Sequence, residues 1–151
     1  MTRPYTGFDK RGTALTPGLK VLRDTILFLN GGKITNLGGW VVRDMKGKPG
    51  KPSVHSTGRA IDLGYRDRAA IEPVIDWLVK NADLLGIEYV ADYFPRPGGR
   101  GWRCDRNAWS DYPKGRIAGA PGGRWIHIET DPAMSADAAR MEAAIKQALG
   151  S

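Results

Sequence analysis

A strand–helix–strand succession in the middle of the chain constrains the fold more than any other feature. Ile71, Val74, Ile75 and Leu78 fall at i, i+3, i+4 and i+7, which puts one apolar stripe on a helix expected over 67–85. Pro73 lies near enough to the start of that helix to be tolerated. Apolar runs over 59–65 and 87–94 flank it and read as short strands. A helix with a single apolar stripe has to bury it, and a sheet built from the neighbouring strands offers the surface.

The remaining pattern extends this frame. Thr16-Pro17 reads as an N-cap followed by proline at the first helical position. Leu19, Leu22, Ile26 and Leu29 then recur at helical spacing until Gly31-Gly32. Residues 34–42 read as extended, with Trp40 and Val42 on one face, and a polar Gly/Lys/Pro loop follows over 44–53. A further strand is expected over 125–129. Ser135 is expected to cap a last helix with Met141, Ile145, Ala148 and Leu149 on its inner face. The sum is one α+β domain over 1–151, a small, mostly antiparallel sheet with flanking helices. The Gly/Pro/Arg-rich stretch 95–123 is too long for an ordinary connection and reads as a loop forming a lid or substrate wall.

Composition narrows the function classes. Apolar residues make up 41% and charged residues 26%, as in an ordinary globule. No apolar run approaches the roughly 20 residues of a membrane span. The opening Met1-Thr2-Arg3-Pro4-Tyr5 lacks the apolar core of a secretory leader. Cys104 is the single cysteine, so an internal disulfide and a thiolate zinc site are both excluded. Its reading is a small, partly buried side chain. A net charge of +7 favours polyanionic partners, with nucleic acid and an anionic cell wall both open.

There are only two histidines. His55 lies in Ser53-Val54-His55-Ser56-Thr57-Gly58-Arg59-Ala60-Ile61-Asp62, and His127 in Trp125-Ile126-His127-Ile128-Glu129. Catalytic zinc takes three ligands from His, Asp or Glu and keeps a fourth position open. His55, Asp62 and His127 complete such a set for one zinc ion. His55 would stand on a loop, the chain would turn at Gly58, and Asp62 would return on the next strand. On the later strand Trp125, His127 and Glu129 share a face because side chains alternate.

The segment Ser53–Asp62 fits S-x-H-x-x-G-x-A-x-D at every fixed position. It thereby resembles the zinc peptidases that include D-alanyl-D-alanine carboxypeptidases and the L-alanyl-D-glutamate peptidases of phage endolysins. Hedgehog domains and extensin-like proteins are similar in fold. Trp125-Ile126-His127-Ile128-Glu129 looks like the second metal segment of that superfamily. Arg43, after Gly38-Gly39-Trp40, resembles an arginine that faces substrate there, and so would hold an oxyanion or a substrate carboxylate. The resemblance implies a hedgehog-like fold and hydrolysis of an amide bond in the stem peptides or cross-links of peptidoglycan. Ser53, Tyr93, Arg124 and Trp125 would line the substrate site. A phage-type lysin is implied, held in the host cytoplasm until release or carried on the virion.

One element of the resemblance is missing. Many relatives carry an acid three residues before the last histidine, and others a histidine two residues before it. Arg124 and Trp125 occupy those positions here. Glu129 is therefore the candidate base, with support of a ligand histidine as its other role, and Asp92 is the second candidate. Without a base, the same fold would bind zinc and a wall or protein partner without turnover. A basic nucleic-acid module is the remaining alternative, read from Trp102, Trp109 and Tyr112 among Arg96, Arg100, Arg103 and Arg106. That stretch carries no nucleic-acid-binding signature, and its arginines would equally suit carboxylates or anionic wall polymers.

Overall fold

A computed structural model describes residues 1–94, 97–114 and 123–150. In chain order the helices are α1 (Pro17–Leu29), α2 (Arg68–Lys80), α3 (Ala82–Leu85), α4 (Pro132–Ala136) and α5 (Ala138–Leu149). The strands are β1 (Ile34–Gly38), β2 (Asp44–Met45), β3 (Lys48–Pro52), β4 (Ala60–Tyr65), β5 (Ile87–Asp92), β6 (Arg100–Arg103), β7 (Ala108–Asp111) and β8 (Trp125–Thr130). Six of the strands form one sheet in the order β1-β4-β8-β5-β6-β7, with every pairing antiparallel. The class is therefore α+β, as the patterning predicts. No helix among the described residues is long and apolar enough to cross a membrane.

The helices meet one face of the sheet. Leu19, Leu22 and Ile26 of α1, Ile71, Ile75 and Leu78 of α2, and Met141 and Ile145 of α5 form a core with Ile61, Leu63, Val90, Ile126 and Ile128. Each such side chain fully buried contributes about 1.5–3 kcal/mol. Strand alternation sends the residues between them to the opposite face. Asp62 lies between Ile61 and Leu63, and His127 between Ile126 and Ile128. The same core packing that orients the strands thus aims both side chains away from the helices.

Several local readings need correction. Helix 67–85 is two helices, broken at Asn81, whose amide and side chain both bond back to the Trp77 carbonyl. The expected strand 34–42 stops at Gly38, where its register with β4 shifts, so Trp40 and Val42 lie beyond it. The expected loop 44–53 holds the β2–β3 hairpin, whose residues carry no apolar alternation because both faces meet solvent. Stretch 95–123 contains the β6–β7 hairpin, with Trp102 buried in the core; Arg96 and residues 115–122 lie outside the described residues. Ser135 sits inside α4 and its hydroxyl pairs with that of Thr130; Asp137 caps α5 through the Arg140 amide. Leu149 is exposed, one position off the buried face of α5. Thr16 does precede α1, but its hydroxyl donates to the Gly58 carbonyl and so ties α1 to the turn before β4.

Candidate metal centre

The first histidine is placed by a single 3-10 turn, Val54–Thr57. Ser53 opens it, its hydroxyl accepting from the His55 amide at 3.3 Å. Gly58 closes it at φ +82°. A Cβ there would also collide with the Ala14 carbonyl. Both the dihedral angle and the space therefore require glycine at this position. The chain then enters β4, and Asp62 comes opposite His127 on β8.

The structure brings His55, Asp62 and His127 together, with one ligating atom from each lying within 4.8 Å of the others. Asp62 Oδ2 is 3.2 Å from His55 Nε2, and Asp62 Oδ1 is 2.9 Å from His127 Nδ1. The outer nitrogens are held as well. His55 Nδ1 donates to the Gly39 carbonyl at 2.7 Å. Because that carbonyl can only accept, it fixes the tautomer and leaves Nε2 for the site. His127 Nε2 donates to Glu129 Oε1 at 2.9 Å, leaving Nδ1 turned to Asp62. Two imidazole nitrogens and one carboxylate, each histidine braced on its far side, form a donor set that could hold a metal ion.

The electrostatics agree with a cation site. Burial works against charge on Asp62, but the hydrogen bond from His127, with the two imidazoles facing it, holds its carboxyl below the usual range. Burial also opposes charge on His127. Hydrogen bonds to Asp62 and Glu129, with the charges of both, raise its pKa from 6.5 to about 10. In the metal-free protein a proton on His127 thus balances part of the carboxylate charge, and a metal ion would replace it.

The other residues singled out in the sequence fall in different places. Glu129 is 5% exposed and both its oxygens are engaged, Oε1 by His127 and Oε2 by the Tyr5 hydroxyl at 2.7 Å. Asp92 is not brought to the site. It pairs across β8 with Ile126, a core residue, so its side chain leaves by the helix face. There Arg68 grips it through two bonds at 2.8 Å and Arg100 at 3.0 Å, which hold its pKa low against the cost of burial. Arg43 is exposed at the rim, and its charge acts on the Tyr93 hydroxyl. Tyr93 stacks on Trp125 with ring centroids 3.7 Å apart. Burial, with the charges of Asp62 and Glu129, pushes the Tyr93 phenol up, so it stays protonated. Ser53 is spent on its turn, and Arg124 is exposed.

The arginines of the aromatic stretch are largely occupied. Arg100 lies over Trp109 as well as on Asp92, Arg103 pairs with Asp105 and covers Tyr5, and Arg106 bonds the Gly101 carbonyl. Each of these three guanidinium groups is thus already engaged within the protein.

Three contributors have no reading in the sequence. Tyr5 reaches Glu129 from 124 residues away, and the Gly39 carbonyl acts through backbone alone. Arg59 is buried inside the motif and bonds the Thr130 and Gly7 carbonyls and Asp9, holding the amino-terminal segment across this face. Only Arg59, a charged side chain within an otherwise compact motif, offers a local signal.

The family model of the VldE C-terminal domain matches residues 11–93. That span contains His55 and Asp62 and ends before His127. No curated protein and no solved structure matches the chain.

Proposed function

The chain belongs to the VldE C-terminal domain family, and we propose that its His55–Asp62–His127 cluster is the zinc centre of a peptidase acting on peptidoglycan. The bond hydrolysed is an amide of the stem peptides or their cross-links. The fold proposed is the hedgehog-like one, and the setting that of a phage-type lysin, acting after release or from the virion. The observation that carries the reading is the orientation of the two imidazoles. Each spends one nitrogen on a brace and turns the other to Asp62, the arrangement a catalytic zinc site needs.

Zinc, when bound, supplies polarisation of a carbonyl and activation of water near neutral pH. The protein's own groups do the positioning. Gly39 and Glu129 lock the two rings. Tyr5 donates to Glu129 and keeps that carboxylate aligned on His127. Arg43, at the rim, receives a substrate carboxylate or the developing oxyanion. Tyr93 remains a neutral hydroxyl donor beside it. Glu129 is the further carboxylate bonded to a ligand residue among the described residues, and any proton transfer by a carboxylate falls to it.

A second reading has its own support. With both oxygens of Glu129 engaged and Arg124 standing where many relatives carry an acid, the site would bind zinc without turning over. The domain would then act as a wall-binding or protein-binding module. Digestion of purified peptidoglycan, followed by mass analysis of the fragments, separates the two. Cleaved stem peptides that disappear in His55→Ala establish the peptidase. One zinc per chain with every stem peptide intact establishes the binding module.

A further inference from the structure

A cleft of about 680 Å³ opens beside the metal centre, lined by Thr35, Leu37, Gly64, Trp125 and, at one end, Lys33, Arg66 and Arg124. Gly64, part of its lining, is two positions along β4 from Asp62 and on the same face. Gly64 pairs with Trp125 on one side and Thr35 on the other. The Leu37 side chain lies against Gly64, in the space a side chain there would take, so Leu37 and Trp125 supply the apolar part of the lining. Trp125 lines the cleft and is also stacked on Tyr93.

The cations gather at one end because three chain segments end there together. Ile34 pairs with Tyr65, which sets Lys33 beside Arg66. The Tyr65 amide donates to the Arg124 carbonyl, which brings in the third. All three residues are exposed, and none forms an ion pair among the described residues. Asp67 is the one acid in the lining, and its carboxylate is turned to the Ala69 amide as the cap of α2.

We propose that this cleft binds a carboxylate-bearing peptide segment of the substrate, its apolar part on Trp125 and Leu37 and its carboxylate among Lys33, Arg66 and Arg124. The inference rests on the peptidase reading and names the substrate class of that site. Arg66 is four strand positions from Asp62, roughly 13 Å. The anion therefore lies about three to four extended residues from the bond that is cut. A polyphosphate chain would need cations along its whole path. Here the middle of the cleft is apolar and charge appears only at the end, which selects an amphipathic peptide with one terminal anion.

The test titrates the zinc-loaded protein with an acetylated tetrapeptide, as free carboxylate and as amide, and follows the backbone resonances of Gly64 and Trp125. Removing one charge-assisted hydrogen bond should weaken binding about tenfold. The expected result is tighter binding of the carboxylate by that factor, falling to about twofold or less in Lys33→Gln/Arg66→Gln with zinc content unchanged. Equal binding of acid and amide overturns the proposal, as do shifts confined to other residues. A poly(glycerol phosphate) chain that outcompetes the peptide at Gly64 overturns it too. Binding is read without turnover, so a peptide held here but never cleaved supports the cleft while refuting the peptidase.

Discussion

Replacing Glu129 by glutamine separates its two duties, holding His127 and accepting a proton. The carboxylate is buried, takes the His127 Nε2 proton at 2.9 Å and receives the Tyr5 hydroxyl at 2.7 Å. Glutamine keeps the shape and one acceptor oxygen but removes the charge. A charge-assisted hydrogen bond loses about half its strength when the acceptor becomes neutral. Weakening the partner that braces a ligand histidine typically costs 10–100-fold in metal affinity, about 1.4–2.7 kcal/mol. Zinc competition against a chromogenic chelator at neutral pH measures this directly. If Glu129 positions His127, Glu129→Gln binds zinc that much more weakly and recovers most of its hydrolysis once zinc is saturating. If Glu129 is the base, zinc affinity stays at the wild-type value and hydrolysis is lost at any zinc concentration. Unchanged zinc affinity would refute the positioning argument. Tyr5→Phe is the control, since it removes only the second partner and leaves the carboxylate charge in place.

Three further outcomes follow from the same interactions. His127 carries a proton below about pH 10 in the metal-free protein, so zinc binding at pH 7 should release about one proton and tighten about tenfold per pH unit. Calorimetry in buffers of different ionisation enthalpy counts that proton, and a zero count contradicts the assignment of Nδ1 as ligand. Asp92→Asn should cost about 1.5–3 kcal/mol by urea unfolding, because three charge-assisted bonds from Arg68 and Arg100 are weakened together. Asp92 has a depressed folded pKa, so its contribution is complete above about pH 4 and fades as pH falls through the folded value. The wild-type and variant unfolding curves should therefore converge in acid. Gly58→Ala should lower both stability and zinc content, since the left-handed turn and the Ala14 carbonyl leave no room for a methyl group; a variant with normal zinc content would show that the turn does not place His55.

What can be read in the sequence is what depends on near neighbours. The stripes on α1 and α2 repeat within a few residues, and the His55–Asp62 segment carries its turn, glycine and ligands in ten positions. The β2–β3 and β6–β7 hairpins escape such a reading because their residues lack the alternation that signals a half-buried strand; backbone pairing and one buried tryptophan hold them instead. Asp92 is a candidate base in the sequence, but register decides which face it takes, and register depends on a pairing with β8 more than 30 residues away. Tyr5 and the Gly39 carbonyl act over long range with no pattern of their own. The braces on the candidate ligands are thus less legible than the candidate ligands themselves.

Arg124 and Trp125 connect the two open questions about this site. They occupy the positions where the resembling peptidases carry an acid or a histidine. In this fold those same positions supply one cation and part of the apolar lining of the cleft beside Gly64. A residue two positions before His127 shares its face of β8, so Trp125 stands beside the metal ligands and stacks on Tyr93. A carboxylate at position 124 would replace one of the three cations lining the cleft and offset part of the charge proposed to hold the substrate. On the peptidase reading, the missing acid and the proposed anion-binding cleft therefore come from the same two positions. If so, Arg124→Glu should weaken binding of the carboxylate peptide about as much as losing Lys33 and Arg66 together, whatever it does to hydrolysis. A variant that gained hydrolysis while keeping full preference for the carboxylate over the amide would break that link.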